Sequence, residues 1–120
     1  MKRYVTLAVF ITLSVYSIAE ARLKVVGRGA KMNFSADGLP EMYKPSFDIM
    51  QIKCIKCHTM ERTVIAIQTG RAPITGQPFN KQAVKAYGIK MLRKPDSNMN
   101  KKEIRDVVVL LNYILDENAK

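Results

Sequence analysis

Tryptophan is absent from this 120-residue sequence, histidine occurs once and cysteine twice. The lone His58 means that no second imidazole from the chain can share a metal with it, and none is left for distal acid–base work. Together with Cys54 and Cys57 it accounts for every Cys and His present, one ligand short of the four that a structural zinc site needs. Acidic residues are scarce as well: 10 Asp and Glu stand against 20 Lys and Arg, for a formal net charge of +10. Such an excess attracts acidic partners. There is no internal repeat or low-complexity tract, and a hydrophobic fraction of 48% with 25% charged residues excludes a wholly disordered chain. The length allows one domain.

What is present begins with a targeting signature. Lys2 and Arg3 precede a mostly apolar stretch from Tyr4 to Ile18, and Ala19-Glu20-Ala21 follows as a small-x-small cleavage site. Residues 1–21 are therefore expected to be a signal peptide, cut after Ala21. The competing reading is a retained anchor, because the apolar run is near the short end of what spans a bilayer. Membrane association is expected only in that case. Cleavage removes Lys2, Arg3 and Glu20, so the mature chain carries one positive charge fewer than the full +10. The expected location is periplasmic, and export leaves almost no access to nucleic acid, which is not expected as a partner despite the basic balance.

From Arg22 to Lys44, Gly27, Gly29, Gly38 and Pro40 interrupt short apolar pieces, the composition of an irregular N-terminal arm. Pro45 and Ser46 then introduce Phe47, Ile49, Met50 and Ile52, a short helix that delivers the chain to Cys54. Thr69 to Phe79 holds Gly70, Pro73, Gly76 and Pro78 and reads as a loop. Asn80 can cap a helix through about Leu92, since Val84, Tyr87, Gly88, Met91 and Leu92 recur at helical spacing. Pro95 ends that helix by disfavouring helical geometry at Lys94. Asn100 and Glu103 then make a capping-box-like start to a last helix, whose stripe is Ile104, Val107, Val108, Leu111, Ile114 and Leu115.

Cys54-Ile55-Lys56-Cys57-His58 matches C-x-x-C-H, the attachment pattern of c-type haem. Two thiols three residues apart on a helical turn can each add to one vinyl group on the same porphyrin edge, and the adjoining histidine is carried beneath the ring towards the iron. From ordinary residue frequencies the pattern arises by chance in on the order of one chain in a thousand of this length. Two rivals use the same cysteines. A thioredoxin-like redox pair would be expected on a βαβ framework, whereas helices and loops follow here. Zinc lacks a fourth ligand.

A second axial ligand must then come from elsewhere, and methionine is the usual alternative in cytochromes c. Six methionines lie beyond the signal segment. Met60 is too close to His58 to cross to the other haem face, Met50 suits core packing, and Met32 and Met42 lie in the arm. Met91 ends an apolar helical face beside a Pro turn, and Met99 precedes the Asn100 cap, where it can staple against Ile104. Met91 is the expected sixth ligand, with Met99 the alternative.

On these residues the chain resembles the small class I type cytochromes c, particularly periplasmic monohaem forms with an early C-x-x-C-H and a methionine before a C-terminal helix. The resemblance covers about Phe47 to Leu115 and rests on Cys54 to His58 and on Met91-Leu92-Arg93-Lys94-Pro95-Asp96-Ser97-Asn98-Met99. Asp96 stands where glycine is common. The resemblance implies an all-α fold wrapped round one haem c bound covalently through Cys54 and Cys57, with the haem domain at residues 46–118, and the irregular arm at residues 22–45 is a second departure from the family pattern. It further implies crossing terminal helices, with Phe47 and Tyr113 as candidates for their contact, and a loop carbonyl near Pro73 that accepts the proton of His58.

The function expected is outer-sphere electron transfer between Fe(III) and Fe(II) with both axial ligands bound, not enzymatic turnover. A rim of Lys53, Lys56, Lys81, Lys85 and Lys90 would steer acidic redox-partner proteins. The alternative is a haem-based sensor or small peroxidase-like enzyme with an open or labile sixth site. Neither redox partner nor oligomeric state is written in the sequence.

Overall fold

Two asparagines open the two longest helices of the computed structural model, which describes residues 23–56 and 58–119. The expected signal peptide and Cys57 lie outside the described residues. Asn80 accepts a hydrogen bond from the Ala83 amide at 2.9 Å and starts α3, Lys81–Arg93. Asn100 does the same for Glu103 at 2.9 Å and starts α4, Lys101–Asn118. At this second cap the Asn100 backbone also helps to hold the Glu103 carboxyl below its ordinary range, as the reciprocal half of a capping box does. Between the helices Pro95 stops α3, a single 3-10 turn covers Pro95–Ser97, and Asn98 adopts the left-handed conformation.

α4 buries Ile104, Val107, Leu110, Leu111 and Ile114, a stripe of helical period that faces the rest of the chain. Each such side chain contributes about 1.5–3 kcal/mol when fully buried. α3 packs antiparallel against it. Gly88 sets the distance, since a Cβ there would lie 2.9 Å from Val108 Cγ2 and 3.2 Å from Ile104 Cγ2. At the other end the Lys81 ammonium meets the Asp116 carboxylate at 2.8 Å.

α1, Lys44–Lys53, has Pro45 in its first turn, where the missing amide hydrogen costs nothing. It also packs on α4, burying Phe47 and Met50. The Tyr113 ring of α4 stacks on Tyr43 with centroids 4.5 Å apart, and Phe47 lies in the apolar core against which Tyr113 packs. α2, Met60–Thr69, buries Met60, Val64, Ala66 and Ile67 and ends at Gly70, whose left-handed φ of 71° closes the helix as glycine does without steric cost. Asn118 from the end of α4 donates to the Ile67 carbonyl.

The described residues are mostly helical, and a short strand pair departs from an all-α chain. Strands β1, Val25–Val26, and β2, Asn33–Phe34, pair antiparallel, Val25 facing Phe34 and Val26 facing Asn33. Gly27, at φ 77°, follows β1 where a Cβ would strike the Lys31 carbonyl. The arm is thus more ordered than its glycine content suggests. Phe34 and Leu39 are buried in the same core as α4, and Asn33 and Gln51 exchange amide hydrogen bonds that fasten the arm to α1.

Candidate functional site

The helix α1 tightens into a 3-10 turn at Cys54–Lys56, which puts the Cys54 thiol inside the protein. Burial pushes that thiol up to about 11, because removing it from water disfavours the thiolate. It is therefore a protonated, apolar sulfur at neutral pH and a poor thiol–disulfide exchange nucleophile. Cys57, the second thiol of the motif, lies outside the described residues.

His58 follows immediately before Thr59, the extended residue that opens α2. Its Nδ1 lies 2.9 Å from the Thr59 carbonyl oxygen. With the proton on Nδ1, that carbonyl accepts it, and the Nε2 lone pair is left for a metal. The carbonyl within reach of His58 Nδ1 is thus that of the adjoining Thr59, where a loop carbonyl near Pro73 was expected.

Cys54, His58 and Met91 all line one cavity of about 410 Å³, a volume typical of small-molecule and cofactor sites. It lies between α2, the loop after it, α3 and the Val108–Leu111 side of α4. The walls are chiefly apolar, among them Met50, Ala66, Val84 and Phe79. Pro73 and Ile74 form part of the wall on a loop that braces itself: the Ala72 amide donates to the Gln77 carbonyl, Gly76 to Ala72, and Phe79 to Gly70, all within 2.9 Å. The Arg71 guanidinium adds a bond to the Gly76 carbonyl at 3.0 Å.

The two candidate methionines separate clearly. Met91 is half-buried on the cavity wall. Met99 is outside that cavity, buried in the core cluster with Ile104, as a staple beside the Asn100 cap would be. Met60 is buried in the same core, Met50 is buried and also touches the cavity, and Met42 is exposed on the arm.

The basic rim is uneven. Lys53 reaches the Glu103 carboxylate at 2.6 Å and the Asn98 carbonyl at 2.7 Å, and Lys81 is paired with Asp116, so both charges are neutralised at home. Lys56 and Lys85 are exposed. Lys90 sits 5.4 Å over the Tyr87 ring, which itself tilts against Phe79. Lys90 also lines the cavity, as do Arg62, Lys94 and Tyr87. Sequence patterning does not single out Arg62 or Lys94.

No protein-family model matches the chain, and neither the curated proteins nor the solved structures compared with it give a match.

Proposed function

We propose that this chain is an exported electron-transfer protein of the cytochrome c type, carrying one haem c joined to Cys54 and Cys57 and ligated by His58 and Met91. One observation carries the reading: Cys54 and His58 of the C-x-x-C-H motif and a methionine from a distant helix border the same chiefly apolar cavity. The residues at this cavity fit the group. A haem needs an apolar enclosure, an imidazole with a free nitrogen and a thioether, and the lining offers each.

When bound, the haem supplies a one-electron Fe(III)/Fe(II) couple. The chain's residues do the rest. Cys54 and Cys57 would hold the group through thioether bonds, each thiol giving its sulfur to one carbon and its hydrogen to the other carbon of a vinyl group, with no net change of oxidation state. The high Cys54 pKa argues against a disulfide-exchange role for the same motif. The Thr59 carbonyl holds the His58 ring and keeps its proton on Nδ1. Met91, as a thioether ligand, favours the ferrous state and raises the potential. The apolar walls exclude water and so limit the solvent rearrangement that accompanies a change of charge. Exposed Lys56 and Lys85, with the overall positive charge, favour acidic redox partners, and that attraction weakens with salt.

The test is the absorption spectrum of the purified protein in both oxidation states, followed by carbon monoxide added to the reduced form at neutral pH. The carrier reading expects c-type bands and no rapid change with carbon monoxide. Rapid binding would instead identify a sensor or a peroxidase-like enzyme with a labile sixth site. A colourless protein would point to a haem-free disulfide or metal-binding module.

A further inference from the structure

The N-terminal hairpin carries cations that the rest of the fold leaves unanswered. From Arg22 to Ala36 the sequence holds Arg22, Lys24, Arg28 and Lys31 and no Asp or Glu. Elsewhere cations are matched at close range: Lys44 with Glu41, Lys53 with Glu103, Lys81 with Asp116 and Lys102 with Asp106. Among the described residues no carboxylate pairs with Lys24, Arg28 or Lys31, not even Glu61 of α2, the helix against which the 3-10 turn Gly29–Lys31 packs. The hairpin also has two faces. Leu23 and Val25 pack against the core and Phe34 is buried in it, while Lys24 and Val26 alternate with them and are exposed, as the period of a strand requires. From Val26 to Lys31 every residue is exposed. Like charges gathered on such a tip repel one another, and an anionic surface relieves that repulsion.

We propose that this hairpin docks the protein on an anionic phospholipid membrane, with Lys24, Arg28 and Lys31 among the headgroups and Val26 at their apolar boundary. Basic side chains are drawn to anionic headgroups over about a Debye length, roughly 8 Å at physiological ionic strength. An apolar group beside them adds the shallow burial of interfacial elements, and Val26 is 42% exposed. An acidic protein could supply the same charge. The membrane is favoured because Gly27, Gly29 and Ala30 keep the exposed tip free of bulk, which suits an extended flat surface, and because an apolar side chain stands among the cations. Docking of this kind requires neither haem nor a retained signal anchor. No hairpin residue lines the cavity, so the proposed haem site stays open to a redox partner.

Co-sedimentation of the processed protein with vesicles of phosphatidylglycerol in phosphatidylcholine, and with phosphatidylcholine alone, tests this at low and high salt. The wild-type protein should pellet with the anionic vesicles, remain in solution with the neutral ones and be released by high salt. Lys24→Gln/Arg28→Gln/Lys31→Gln should weaken binding roughly a hundredfold, since each cation near an anionic surface contributes about fivefold. Arg93→Gln/Lys101→Gln/Arg105→Gln removes the same charge from exposed positions on α3 and α4 and should weaken it only a few-fold. Val26→Ser should reduce binding without altering its salt dependence. Equal weakening by the two triple variants would reduce the effect to net charge and overturn the proposal. So would salt-resistant binding to neutral vesicles, which would assign the contact to apolar burial instead of charge. A wild-type protein that ignores anionic vesicles, while the hairpin triple variant reacts more slowly with an acidic redox protein, would overturn it in favour of protein docking. Haem content is read separately by intact mass, and its absence would sink the haem reading while leaving the vesicle result to stand.

Discussion

The wedge of α1, α3 and α4 and the cavity beside it are built on opposite principles. In the wedge, side chains meet side chains: Leu110, Ile114 and Val107 are almost wholly removed from solvent, Gly88 brings α3 against Val108, and Tyr43 stacks on Tyr113. Around the cavity, α2, the Gly70–Asn80 loop and one side of α3 turn apolar groups towards a space of about 410 Å³. The two methionines either side of the Lys94-Pro95 turn fall one in each region. A residue type that packs as filler in one place lines a cavity in the other, and only its surroundings make the difference.

Replacing both motif cysteines tests the cavity side with the largest expected effect. The double variant Cys54→Ala/Cys57→Ala should lose all covalently bound haem, read by denaturing gel and haem stain, while a stain of unchanged strength would break the assignment. Next comes the pair of methionines. Met91→Ala should abolish the sulfur-to-iron charge-transfer band and lower the potential. Met99→Ala should keep that band but cost about 2–5 kcal/mol of stability, as large-to-small core substitutions do. Exchange of these two outcomes would reverse their roles.

Smaller effects probe the wedge. Gly88→Ala gains helix propensity of about 1 kcal/mol but forces its methyl towards Val108 at a distance real contacts do not show, for an overpacking cost of about 1–3 kcal/mol. A net loss in chemical denaturation, relieved when Val108→Ala is added, is expected. The smallest effect is electrostatic. Lys53 holds the Glu103 carboxylate below the usual carboxylate range, chiefly through their hydrogen bond. A carboxyl group with a lowered folded pKa stabilises the protein above its unfolded pKa, and this contribution is lost as pH falls through the carboxylate range. Glu103→Gln should therefore flatten the acid side of the stability–pH profile, and an unaltered profile would show the pair to be inert.

Much of this was legible in local sequence. The Asn80 and Asn100 caps, the Pro95 stop and the α4 stripe depend on residues a few positions apart, and local hydrogen bonding and helical period fix them. The C-x-x-C-H spacing is local in the same way. α2 also carries a helical stripe, Met60, Val64 and Ile67, closed by Gly70. What escaped was set by distant pairing. The short β1–β2 pair and the burial of Phe34 and Leu39 depend on the arm folding back on helices later in the chain, which its glycines and proline do not disclose. Lys53 and Glu103 lie far apart in sequence, as do Lys81 and Asp116, so their pairing could not be told from a solvated basic face. The His58 partner was misplaced for the reverse reason: a carbonyl one residue away supplies the contact expected from the loop. That Arg62, Lys90 and Lys94 line one cavity depends on elements far apart in the chain.

The central claim is that the two thiols of the motif become thioethers to one porphyrin. Intact mass of the wild-type protein, purified from cells that mature other c-type cytochromes, measures this directly. The account predicts the mass of the processed chain plus one haem, retained under denaturing conditions. A polypeptide of unmodified mass, with both thiols free to alkylate, would contradict it.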